Sequence, residues 1–275
     1  MNFIKILDIL SDDKLLSETG SRRDSFQQFK NVGKNVALAS IPFALAATSS
    51  KTRAATNSMA SAAMMGPNEE VLKFALTLEY LEREFYQLGL DSGIIPEADK
   101  EVFATISRHE DVHVEFLLAA LGLTDGDLKP TFDFTGGPGG LTLDPFGDYP
   151  TFMALAQGFE DTGVRAYKGQ AGALANNNDL LTYALQIHSV EARHASQVRR
   201  MRGKRGWITN SDNDLPSAFA PIYGGATPES NLVQGGVNLS GLFGSAGGDN
   251  AVTEAFDEPL TMNEVLTIGG IFIVQ

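Results

Sequence analysis

Two copies of one short pattern constrain this chain more than any other feature: Glu110-Asp111-Val112-His113 and Glu191-Ala192-Arg193-His194, each a Glu-x-x-His in a stretch of helical periodicity. A further carboxylate lies 31 residues upstream of each, Glu79 before the first and Glu160 before the second, and each is followed seven residues later by a tyrosine, Tyr86 or Tyr167. The polar members recur in register, which makes this an internal repeat. On an α-helix, residues three apart share a face and residues seven apart nearly superimpose. Glu110 and His113 can therefore point at one spot, as can Glu191 and His194, and each upstream glutamate shares a stripe with its tyrosine. Neighbouring apolar residues place these stripes inside. Leu72, Ala75 and Leu76 lead into Glu79, Phe103 and Ile106 into Glu110, Met153 and Ala156 into Glu160, and Leu181 and Ala184 into Glu191. An all-α chain is expected, with carboxylates and imidazoles on the buried faces of four helices.

Four buried carboxylates cannot stay ionised side by side, because desolvation and mutual repulsion both raise their pKa values. Something positive belongs among them. Two divalent cations carry four positive charges against Glu79, Glu110, Glu160 and Glu191, and two neutral imidazoles, His113 and His194, complete the set. One Glu from each of two helices plus Glu-x-x-His from each of two others is the arrangement of di-iron and di-manganese carboxylate bundles.

On these residues the chain resembles ferritin-like four-helix bundles. The segment LEYLEREFYQ (78–87) with its Glu-x-x-His partner is similar to the branch that includes plant desiccation-related proteins and their bacterial relatives. The resemblance covers roughly 67–202, and a fainter likeness in AFDEPL (255–260) extends it. It implies an up-down bundle with a long crossover between the second and third helices. It also implies Glu79, Glu110, His113, Glu160, Glu191 and His194 as metal ligands, with Tyr86 and Tyr167 near the metals as hydrogen-bond partners or redox-active neighbours. Glu82, three residues from Glu79, could support the ligands or join them on occasion but is left outside this set, and His188, three before Glu191, is read as a capped or exposed histidine rather than a group behind the ligands.

A competing motif overlaps the first copy. His109-Glu110-Asp111-Val112-His113 matches the H-E-x-x-H of zinc metallopeptidases, in which two histidines one turn apart bind zinc. That reading leaves the second copy unexplained, since Val190 stands where the counterpart of His109 would be. In the bundle reading His109 is incidental.

The expected organisation is an export signal at 1–47, a linker at 48–66, the bundle at 67–202 and a loop-rich extension at 203–275. Arg22-Arg23, the apolar run VALASIPFALAA (36–47) and the small residues Ala44-Leu45-Ala46 resemble a twin-arginine signal, which implies a periplasmic protein; without it the chain would be cytoplasmic. Within the bundle, helices are expected from about 67 to 88, 96 to 121, 150 to 175 and 179 to 202. The Gly- and Pro-rich stretch 124–150 serves as crossover or lid. Trp207 is expected to pack the extension onto the bundle. Thr261-Met262-Asn263-Glu264 opens a last helix through about Val274, too short to span a membrane.

The net charge of −13, with no basic patch in the globular part, argues against nucleic-acid binding, and the absence of cysteine excludes disulfides, thiolate zinc sites and iron–sulfur clusters. The expected cofactor is two divalent metal ions, iron first and manganese second. The expected function is an oxidoreductase acting with O₂, peroxide or ferrous iron, of ferroxidase or peroxide-removing type. A homo-oligomer fits this class. The alternatives are a non-enzymatic stress or desiccation-related protein that keeps the scaffold, with a structural metal or none, and, more distantly, a zinc hydrolase.

Overall fold

The four expected helices form where their apolar stripes and flanking stop signals place them. The computed structural model describes residues 68–274, so the expected signal and linker lie outside the described residues. Helix α1 is Glu69–Ser92, α2 Glu97–Leu121, α3 Tyr149–Ala171 and α4 Asn178–Met201. Gly93 and Gly122 end the first two in the left-handed region, at φ of 74° and 69°, where a Cβ would be strained. Asp148 starts α3 by accepting a hydrogen bond from the Thr151 amide, and Asn177 starts α4 by accepting one from the Leu180 amide. Helix α1 outruns its expected end near Leu88. Gly89 lies inside it, because a Cβ there would sit 2.3 Å from the ring of Phe152.

Helix α1 packs on α2 and α3 packs on α4. At one end of the bundle the aromatic rings of Phe85 in α1, Phe103 in α2 and Phe152 in α3 meet, with Phe152 at 4.8 Å from Phe85 and 5.0 Å from Phe103. At the other end, the start of α1 (Leu72), the end of α2 (Leu117), the end of α3 (Gln170) and the start of α4 (Leu180) line one crevice. Helices α2 and α3 therefore run parallel, and residues 122–148 carry the chain back along the bundle between them. This is the long crossover expected from the resemblance.

The crossover is not free. Its strand β1, Thr131–Phe132, pairs antiparallel with β4, Ile273–Val274. The expected last helix is correspondingly shorter: α6, Met262–Gly269, opens on the Thr261/Glu264 capping box and ends at Gly269. The β-branched residues that follow extend as a strand. Phe272 packs 5.1 Å from Phe159 of α3 and 6.2 Å from Phe134 of the crossover. Between α4 and α6 the extension holds a hairpin of β2, Val233–Gln234, and β3, Val237–Asn238, turning on Gly235 and Gly236 with positive φ. A short helix α5, Asp249–Thr253, follows.

Polar ties fix this extension to the bundle. Arg165 of α3 is fully buried, and its Nε lies 2.7 Å from Glu229, while its guanidinium donates to the carbonyls of Ile222, Gly224, Thr227 and Glu258. A second tie joins Asp161 of α3 to Arg199 of α4, at 2.8 and 2.5 Å, and to the Tyr223 hydroxyl at 2.8 Å. Beyond it, Arg202 and Lys204 pair with Asp214, and Arg205 with Glu254, of the extension. Trp207 does not pack as expected. It is 44 % exposed, and Ile208, Leu215, Phe219 and Ile222 fill the interface instead. Among the described residues, no helix is long and apolar enough to cross a membrane.

Candidate metal centre

All six expected residues converge. Glu79 on α1, Glu110 and His113 on α2, Glu160 on α3, and Glu191 and His194 on α4 meet midway along the bundle. The four glutamates are 0 % exposed, and His113 and His194 are 7 % and 5 % exposed. Helical spacing does the local work: each Glu-x-x-His pair shares one inward face, while the apolar residues one turn away anchor that face in the core. The potential ligand atoms form two groups, each within 4.8 Å: Glu79, Glu110, His113 and Glu191 in one, and Glu110, Glu160, Glu191 and His194 in the other.

Glu110 and Glu191 belong to both groups, and their oxygens are divided between them. Glu110 turns Oε2 to the Nδ1 of His113 at 3.0 Å and Oε1 to the Nδ1 of His194 at 3.1 Å. Glu191 turns Oε1 to His113 at 3.1 Å and Oε2 to His194 at 3.5 Å. Glu79 meets only His113, at 3.1 Å, and Glu160 only His194, at 3.3 Å. Two carboxylates therefore span two positions, and each position has one carboxylate and one imidazole of its own.

The tyrosines act across the halves. The Tyr86 hydroxyl on α1 donates to Oε1 of Glu160 on α3 at 2.5 Å, and the Tyr167 hydroxyl on α3 donates to Oε1 of Glu79 on α1. Each tyrosine shares a helix with one glutamate, as the spacing required, but orients the other. These bonds hold one oxygen of each outer carboxylate and leave its second oxygen facing inward. Burial, and then the glutamate that each hydroxyl touches, push both phenols well above their usual value, so they serve as donors.

The electrostatics state what the pocket lacks. Burial lifts the Glu79 carboxyl to about 8, partly opposed by His113. It lifts Glu160 well above the carboxylate range, partly opposed by His194. Burial would raise Glu191 too, but the two imidazoles close beside it outweigh burial and hold this carboxyl below its usual value. Glu79 sees one imidazole where Glu191 sees two. Burial disfavours charge on His113 and His194, yet the carboxylates around each overcome it and raise both rings. With protein groups alone, Glu110 Oε1, Glu160 Oε2, both oxygens of Glu191 and Nδ1 of His194 are buried without a hydrogen-bond partner. Orphaned acceptors of this kind, aimed at a common centre, fit divalent cations that take oxygen and imidazole ligands.

Two neighbours were not assigned from the sequence. His109, taken as incidental, places its Nδ1 2.8 Å from the Nε2 of His194. It belongs to neither group, so among the described residues the H-E-x-x-H pair gathers no third ligand around it. Glu82 is 3 % exposed and lies beside the same centre, where burial and then Glu191, Glu160 and Glu110 raise its carboxyl well above the usual range. Its spacing of three from Glu79 was the available signal. His188 is half-buried and forms no part of either group.

Among curated proteins no sequence matches the chain. Residues 68–204, which hold all four long helices and the six converging side chains, match the family model described as a ferritin-like domain. Over that span the chain is similar to the ferritin-like domain family.

Proposed function

We propose that the bundle binds two divalent cations, iron or manganese, and acts as an oxidoreductase on O₂, peroxide or ferrous iron. The observation that carries this reading is the division of Glu110 and Glu191, each with one oxygen toward His113 and the other toward His194. Glu79 and His113 would complete one position, Glu160 and His194 the other. When bound, such a pair of ions supplies one-electron oxidation and reduction at two adjacent centres. The chain's own groups set the conditions. Tyr86 and Tyr167 orient the outer carboxylates, the surrounding Phe and Leu side chains exclude bulk water, and four carboxylates balance the charge of two divalent ions.

Enclosure restricts the substrate to something small, since none of the four glutamates is exposed. A narrow, mostly apolar crevice lined by Leu72, Leu117 and Leu180 reaches Tyr167, the residue bonded to Glu79. This suits an apolar diatomic or a small peroxide better than an organic substrate. The same enclosure also favours a second reading, a stress-related scaffold with purely structural ions. Elemental analysis of protein purified without chelator, followed by assays of ferrous-iron oxidation and peroxide removal, separates them. Two ions per chain with turnover that is lost in Glu110→Ala and Glu191→Ala supports the first reading. Two ions with no turnover supports the second, and no bound iron or manganese overturns the first.

A further inference from the structure

The repeat relates the two halves of the bundle at a constant offset of 81 positions: Glu79 with Glu160, Tyr86 with Tyr167, Glu110 with Glu191 and His113 with His194. Two residues beside the centre break it. Glu82 stands where the second half has Gly163, and His109 where it has Val190.

Both departures fall on the same side. A Cβ on Gly163 would lie 3.4 Å from Oε1 of Glu82 and 3.8 Å from Oε2 of Glu191, so the buried Glu82 carboxylate leans into the room that the glycine leaves. Oε2 is the oxygen that Glu191 turns to His194, while Oε1 faces His113. On the imidazole side, Nδ1 of His194 faces the carboxylates, which leaves its Nε2 for Nδ1 of His109 at 2.8 Å. An Nε2–H donated to His109 fixes the tautomer in which Nδ1 of His194 is a free ligand atom. His113 has Nδ1 among the same carboxylates, but no second histidine behind it among the described residues.

Resting on the paired-cation reading above, we propose that the two positions are unequal: the one formed by Glu110, Glu160, Glu191 and His194 binds its cation more tightly and fills first, with Glu82 as a fifth carboxylate available to it and His109 as the positioning residue for His194. The fifth carboxyl adds an oxygen ligand at that position, and the imidazole pair holds its nitrogen ligand in register.

The test is calorimetric titration of the metal-free protein with Mn²⁺, repeated with Co²⁺ while following its visible absorption bands. The wild type should bind two ions in two steps separated by about tenfold or more. His194→Ala should remove the tight step and His113→Ala the weak one. Glu82→Gln and His109→Ala should each weaken the tight step by about 10–100-fold and leave the weak step in place. His109→Asn, which keeps an acceptor for the His194 N–H, should restore the wild-type affinity and cobalt bands where His109→Ala does not. Retention of the weak step in the His194, Glu82 and His109 variants, and of the tight step in His113→Ala, serves as the control for folding. Two equal steps in the wild type, or equal weakening of both steps in Glu82→Gln and His109→Ala, overturns the inequality and leaves the paired-cation reading intact. No bound ion in the wild type overturns that reading and this one with it.

Discussion

Tyr86 and Glu160 lie on different helices, and the hydrogen bond between them shows how single groups from one half shape the ligands of the other. Tyr86→Phe removes the hydroxyl and leaves Oε1 of Glu160 buried without a donor. Affinity for Mn²⁺, measured by competition with a chelator, should fall by about 10–100-fold, and Tyr167→Phe should do the same through Glu79. Protons compete for the same oxygens. In the metal-free protein Glu79 is raised from an ordinary 4.5 to about 8, so at neutral pH it holds a proton that a cation must displace. Because the folded value is raised, this group stabilises the metal-free fold fully below about 4.5, and the contribution is lost as pH rises through about 8. At fixed free Mn²⁺, the gap in thermal midpoint between loaded and metal-free protein should therefore widen from about pH 5 to about pH 8; a gap that narrows would refute this. The convergence of the six side chains was legible in the sequence because helical spacing alone aligns each Glu-x-x-His and the repeat supplies its mate. The crossing of the tyrosines and the role of His109 were not. Both depend on which helix faces which, and no periodicity within one helix carries that information.

Helix ends were legible where Gly122 and Asn177 supply their own chemistry, whereas Gly89, a stop signal in the sequence, lies inside α1 against Phe152. The run after Gly269 was not, because its partner strand lies in the crossover, far away in the sequence. Elements of the extension depend on α3 in the same non-local way. Arg165 donates to four carbonyls of that segment, Leu260 returns its amide to the Arg165 carbonyl at 3.1 Å, and a Cβ on Gly169 would come within 1.9 Å of the Leu260 oxygen. Arg165→Met leaves Glu229 buried without its cation and should cost about 3–5 kcal/mol in denaturant unfolding. Much of that loss should return in the double variant with Glu229→Leu, which removes the stranded charge. Limited proteolysis of the single variant should cut within 203–274 before it cuts the four long helices.

For the molecule as a whole, folding around four carboxylates incurs a penalty that bound cations would relieve. Stripping the ions with chelator should leave the helical circular dichroism largely intact but lower stability. At a free ion concentration 1,000 times Kd, loading contributes about 4 kcal/mol, which for a domain of this size is a shift in Tm of about 8–16 °C. An unchanged midpoint would show that the fold gains nothing from the ions. The acidic balance of the chain, −13, acts in the same direction by concentrating cations near its surface.

The swapped tyrosines carry one more implication. Because α1 supplies the hydroxyl for the glutamate of α3, and α3 the hydroxyl for that of α1, neither helical hairpin can assemble even its own half of the pocket. Two identical hairpins facing each other about a twofold axis would recreate every shared contact. The bundle thus has the form of two matched hairpins joined in a single polypeptide, with His109 and Glu82 as departures from that match beside the centre.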